Sequence, residues 1–438
     1  MQETQLGITE DAINRITQSG REPDWVQSLR RTAWQQFQTM DPPPPNHEEW
    51  RRLNIPDFRY QDLTLPFDSN GNGMPKEIQI VSNQPNEDPY GCTILQDNGK
   101  TVENTQSKDL PKGVIFETIQ DAFRNHGDLL LPYLTEQGLT SDRDKLTALH
   151  FSLFNHGVFI YVPENTHVEM PLRFVNAISG QNSIHLPHVV VVLREGAQVN
   201  FVHDMTGERE NGPIYNYGMV QFFLDEGAQM GYLSLHNWGD QVVDRTIQKA
   251  FLAGQARLNW TAYLGGTKSS KWNFEVDLLG EHANVAVNGA YKIKKKEHID
   301  VYSRVRHRVP NTRGHVLVNG SANDSSKAMI QGLIEIEKGA QQTVTYLENH
   351  NLLLGKKCLV DSIPRLEILA DDVKASHGVT LTDIDDEHIF YMMSRGIEKK
   401  DARRLIVDGF FRDILRRAET ELFQKILAHA LGMEVHDQ

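Results

Sequence analysis

EGAQVNFVHDM, Glu195 to Met205, opens on a small turn and continues as alternating apolar and polar residues, the period of a strand with one buried face. The turn returns as EGAQ around Ala228, GQAR around Ala256, EHAN around Ala283 and KGAQ around Ala340. The intervals are 31, 28, 27 and 57 residues, the last close to two periods, with the absent copy expected near Asn311–Gly314. Such a period with two or three short strands per repeat predicts the rungs of a parallel β-helix, each stacking its apolar face on its neighbours. A sandwich or double jelly roll competes, but its turns seldom recur at a constant interval with the same residues. A solenoid also leaves a flat strand edge at its end, which needs a cap or a partner.

Outward from this stretch, about fourteen strand-like runs follow one another from Gly157 to Leu354 without an intervening helix. The first forty residues read as helix, with Trp25, Leu29, Ala33, Trp34 and Phe37 on one face. DPPPP, Asp41–Pro45, stops it and acts as a stiff spacer. The stretch from Leu53 to Thr105 is polar and broken by the turn clusters SNGNGMP and SNQPNEDPYG. Helical periodicity resumes over Phe116–Leu134 and Asp142–Asn155. After Thr380, Asp383 is the expected N-cap of a helix ending at Arg395 and Gly396. A longer helical segment then places Ala402, Leu405, Ile406, Gly409, Phe410, Ile414, Leu415, Leu422, Ile426 and Leu427 on one stripe. The expected organisation is a helical and irregular region over 1–110, a helical lead-in over 111–155, the β-helix over 156–380 and a C-terminal helical domain over 381–438.

Composition narrows the function. No apolar run of about 18 residues offers a spanning helix or a secretory core, so a cytoplasmic protein is expected. A net charge of −13 disfavours nucleic acid, and KIKKK, Lys292–Lys296, reads as a solvated strand face. Two cysteines, Cys92 and Cys358, exclude a disulfide framework and a four-thiolate metal site. There is no nucleophile elbow, Walker A loop or dinucleotide fingerprint. His167 and Glu169 in THVEMP share a strand face and would suit a metal-dependent cupin-like or β-solenoid enzyme. That set needs two further ligands, and His185 and His188 in HLPHV do not share a face, so surface or rung-stacking histidines are the simpler expectation.

Three long stretches resemble a known family: Gln331–Leu354, Pro364–Thr380 (PRLEILADDVKASHGVT) and Asp386–Ile397 (DEHIFYMMSRGI). In residues, order and gaps they are similar to the SufB/SufD family of iron-sulfur cluster assembly proteins. Lys112–Ala122, Phe154–Leu172 and His307–Gly320 fit as well, so the resemblance runs from about Lys112 to Ile406. The low cysteine count looks like the SufD branch. The resemblance implies a mainly β fold, a right-handed parallel β-helix flanked by helical domains, in a non-catalytic subunit. It implies pairing with a SufB homologue through the β-helix and docking of the SufC ATPase on the C-terminal domain, here around Arg395, Gly396, Ala402, Leu405, Ile406 and Phe410. A homodimer is the expected state of the isolated chain. His377 matches a histidine at the SufB/SufD interface that takes part in cluster assembly. Ala375 stands where relatives often carry cysteine, which shifts soft ligation toward the partner. No cofactor is expected to stay on the isolated chain; iron or a transient iron-sulfur cluster would sit at the interface, and a flavin in the complex is compatible with the resemblance.

Overall fold

The computed structural model describes residues 6–42, 62–66, 89–106, 110–207 and 212–433. Pro43–Pro45 of the spacer, SNGNGMP and most of SNQPNEDPYG lie outside them.

Between His156 and Asp383 the chain winds through eight coils, each contributing one strand to each of two sheets. Ten strands form one sheet and eleven the other, and from coil to coil every pairing is parallel. That pattern is the expected β-helix and excludes the sandwich, whose sheets are antiparallel. Edges at the start are covered by short strands, and each sheet ends there in an antiparallel pairing. Ile115–Thr118 closes one sheet, and the hairpin Cys92–Asp97 with Lys100–Gln106 closes the other. Cys92 and Ile94 of that hairpin enter the core, although their neighbourhood reads as broken and polar in sequence.

The recurrent turn is the corner that leads from the eleven-stranded into the ten-stranded sheet. Register aligns Ala197, Ala228, Ala256, Ala283, Thr312 and Thr343, all wholly buried. The preceding residue is left-handed at all six corners: Gly196, Gly227, Gln255, His282, Asn311 and Gln342, with φ between 57° and 68°. One left-handed residue reverses the chain and a small buried residue follows, because copies stack only about 4.8 Å apart. Ala340 is buried too, but its corner is wider, so Thr343 takes the register position and Thr312 supplies the absent copy. The Thr312 hydroxyl lies 2.8 Å from His307 Nδ1 and 3.3 Å from Thr343 Oγ1.

Inside the coils, inward-facing residues form columns of buried apolar side chains, among them Trp260, Trp272, Phe222 and Phe274. Each fully buried large apolar side chain contributes about 1.5–3 kcal/mol. The N-terminal helices lie on the outer face of the eleven-stranded sheet, against Phe159, Val190, Val192 and Phe223 of the early coils. Within them Arg30 and Glu22 form a fully buried ion pair.

The C-terminal helices Lys399–Arg417 and Glu421–Leu431 cover the outer face of the ten-stranded sheet. Val407, Phe411, Ile414, Phe423 and Leu427 pack there on Val202, Leu233, Tyr263 and Leu317. The buried stripe differs from the expected one: Leu405 and Gly409 are exposed, and Val407 and Phe411 take the inward places. This helix is apolar on two faces, and the sheet beneath selects one. The preceding helix, Asp386–Ser394, is capped by Asp385, whose carboxylate accepts from the Glu387 N–H; Asp383 instead ends the last strand.

Candidate functional site

The last coil consists of Leu359–Ile368 in one sheet and Val373–Asp383 in the other. Both stand at the end of their sheets, and among the described residues neither has a strand on its outer edge. Unlike the first coil, this end is left open. ADDVKASHGVT supplies the strand, and its period-two alternation aims Val373, Ala375, His377, Val379 and Leu381 at the interior, in register with buried Thr343, Thr345, Leu347, Asn349 and Asn351.

His377 ends one column. Reading coil by coil toward it, the aligned residues are Leu172, Phe201, Tyr232, Trp260, Val287, Val316 and Leu347, every one buried. An imidazole can occupy this column only where no further coil closes over it, because burial without partners is costly. His377 is exposed and has no hydrogen bond or ion pair among the described residues. Ala375, two residues before, is half-buried against the core. The same end exposes Leu359, Leu381 and Leu369, the last 70% accessible. In sequence each residue of this apolar rim reads as part of a buried strand.

The helix Asp386–Ser394 extends the exposed surface. Only Ile389 is buried, while Phe390 is 74% accessible and Tyr391 and Met393 are exposed. Arg395 stacks on the Tyr391 ring and donates to its hydroxyl at 3.1 Å, and Gly396 is left-handed, ending the helix. Of the expected docking residues, Arg395, Gly396 and Leu405 are exposed, Ile406 and Phe410 half-buried, and Ala402 wholly buried. Phe410 is held by ring contact with Phe411, and its carbonyl accepts from Asn319 Nδ2 at 3.1 Å.

The histidines of the alternative enzyme reading are dispersed. His167 and Glu169 are exposed on either side of buried Val168. His185 and His188 are fully buried in separate surroundings. His185 Nε2 meets Ser183 Oγ at 2.9 Å. His188 lies under the N-terminal helices in a chain whose directions are fixed. The Leu139 N–H donates to Gln221 Oε1, Gln221 Nε2 donates to His188 Nε2, His188 Nδ1 donates to His150 Nε2, and His150 Nδ1 donates to the Tyr217 carbonyl. Both rings are therefore neutral. Burial lowers the His150 and His185 pKa values to about 4 and that of His188 well below the ordinary value. Among the described residues no group of three His, Cys, Asp or Glu side chains could hold a metal ion.

The SufBD protein N-terminal region model matches residues 10–174, and the SufBD core domain model of the SUF system for iron-sulfur cluster assembly matches residues 176–410. The chain belongs to the SufBD family. The boundary between the two SufBD models falls inside the first-coil strand Leu172–Ile178, so the solenoid runs through it. Among SufBD relatives, the iron-sulfur cluster assembly protein SufD of Bacillus subtilis is 25% identical over 435 residues, 99% of each chain. A SufBD family protein of Staphylococcus haemolyticus is 24% identical over 425 residues, 95% of this chain and 91% of its own. In this SufBD protein, no helix among the described residues is long and apolar enough to cross a membrane.

Proposed function

We propose that this chain is the SufD-type, non-catalytic subunit of an iron-sulfur assembly complex. It pairs end to end with a SufB-like chain through its last coil and docks a SufC-type ATPase on its C-terminal helices. The observation that carries the reading is the open coil, in which His377 takes a core position that only a partner can cover. Two strands of 10 and 11 residues, without a partner on their outer edges among the described residues, offer rows of backbone N–H and C=O groups for pairing, and Leu359, Leu369 and Leu381 supply apolar area around them. The isolated chain would satisfy the same edges by pairing with itself.

The cluster is cargo. A neutral imidazole at His377 can contribute one nitrogen ligand to iron, and the thiolates that iron sulfide prefers come from the partner, because Ala375 has none to give. Cys92 is buried in the solenoid and Cys358 sits at a corner of the last coil, neither beside His377 in sequence or register. For the ATPase, the exposed row Phe390, Tyr391, Met393 and Leu405 with Arg395 supports docking. Ala402 contributes from beneath, by seating its helix on the molecule. No observation favours an enzyme built on His167 and Glu169.

Co-expression with SufB-like and SufC-like proteins tests the reading. The expected result is a stable three-component complex in which His377→Ala leaves assembly intact and lowers cluster formation on supplied iron and sulfide. A chain that stays alone in their presence removes the proposal, and unchanged cluster yield removes the role of His377.

A further inference from the structure

The run KIKKK divides into three roles. Lys292 reaches the C-terminus of the helix Glu421–Leu431, where its Nζ donates to the Leu431 carbonyl at 2.8 Å. Ile293 is core. Lys294, Lys295 and Lys296 are exposed at the corner leading from the ten-stranded back to the eleven-stranded sheet.

They do not stand alone there. The same corner one coil earlier presents exposed Lys268, the next coil presents Lys327 at the start of its strand, and the last coil presents Lys356 and Lys357. Register places Lys296 and Lys356 at equivalent positions two coils apart, with Ser325 between them. Strand spacing of about 4.8 Å makes a ridge about 14 Å long over these four coils. Accessible carboxylates on it are Asp240, Asp324 and Asp383. Asp240 is bound to Lys295 at 2.7 Å, and Asp324 accepts from the Lys295 N–H at 2.8 Å. Lys268, Lys294, Lys296, Lys327, Lys356 and Lys357 form no ion pair among the described residues. Glu297 is turned inward, buried, and holds the corner by accepting from the Lys294 N–H at 2.9 Å.

The corner on the other side of the solenoid is mixed in sign, with Glu195, Glu226 and Glu281 exposed beside Arg257, Arg308, Arg313 and Lys338. In a chain of net charge −13 the ridge is a rigid line whose cations are lysines alone, and it ends on the open coil. We infer that this ridge is a docking surface for an acidic protein segment, which it guides to the open end of the solenoid. All seven cations are lysines, point charges without the bidentate fork, and no exposed aromatic lies on the ridge for bases to stack upon. That chemistry fits carboxylates distributed along a polypeptide rather than the phosphates and bases of a nucleic acid.

A fluorescent oligoglutamate peptide serves as the probe for the full-length chain, with single-stranded DNA of equal length as comparison. The peptide is expected to bind and to weaken about tenfold as ionic strength rises from about 0.01 M to about 0.1 M, where the screening length contracts from about 30 Å to about 10 Å. The triple reversal K294E, K296E and K356E should abolish binding at unchanged thermal midpoint. K338E, K399E and K400E, reversed on other surfaces, should not. The milder set K294Q, K296Q and K356Q gives an intermediate loss and covers the case of a reversal variant that fails to fold. Equal binding by the ridge variants, or tighter binding of the DNA, overturns the inference.

Discussion

Acidification from pH 7 to pH 5 should remove much of the stability of this fold, through histidines it buries in the neutral form. The pKa values of His150, His185 and His307 are lowered by burial to about 4 and that of His203 to about 3. In the unfolded chain each returns to about 6.5. Because the folded value is the lower one, the unfolded state binds the proton first. The stabilisation is complete above pH 6.5, falls as pH drops below it, and is lost once pH passes the folded values. Between pH 7 and pH 5 each ring accounts for about 2 kcal/mol and the four together for about 7 kcal/mol, comparable with the whole stability of a domain. In the chain from Gln221 through His188 and His150 to Tyr217 a proton has no acceptor, since one N–H would face another. Urea midpoints measured at pH 7, 6 and 5 should fall steeply. Calorimetry in buffers of different ionisation enthalpy should report at least about three to four protons taken up on unfolding at pH 5, the uptake of these four rings, to which His188 adds. A midpoint that holds across this range, or an uptake below one proton, would refute the assignment of these rings as neutral.

Gly320→Ala would bring a Cβ to 1.8 Å from the ring of buried Tyr291, whose hydroxyl donates to Asn351 at 2.6 Å. The expected loss is about 3 kcal/mol, measured as a lowered thermal midpoint. Thr312→Ala restores the residue found at the earlier corners yet should cost about 1–3 kcal/mol, because His307 Nδ1 loses its partner; urea denaturation measures it. Phe411→Ala should weaken the seat of the C-terminal helices by about 3–5 kcal/mol, and limited proteolysis should then release them while the solenoid survives.

The solenoid was legible because its physics is repetitive: a left-handed residue and a buried small one must recur wherever a coil turns, and four of the six register positions spell that pair with alanine. Thr312 and Thr343 hid the rest, since a threonine can replace alanine only where its hydroxyl finds a partner such as His307 or Ala340. The hairpin Cys92–Gln106 was obscured by surrounding turn residues, for its pairing with Leu172–Ile178 depends on sequence far away. On Lys399–Arg417, apolar residues occupy two faces, and nothing within the helix decides between Leu405 and Val407. His185 and His188 read in sequence as surface or stacking residues; His188 can be buried because its partners His150 and Gln221 come from other elements, whereas His185 is satisfied locally by Ser183 and Ser179. His377 was legible through family resemblance alone. Its place at the end of an apolar column emerges only when all eight coils are aligned.

Hydrogen exchange of the chain, alone and with a SufB-like partner, tests the open coil most directly. Pairing through this end should protect the amides of Leu359–Ile368 and Val373–Asp383, His377 included, and leave the first-coil hairpin unchanged. Terminal strands that exchange as freely in the complex as in the isolated chain would contradict the account.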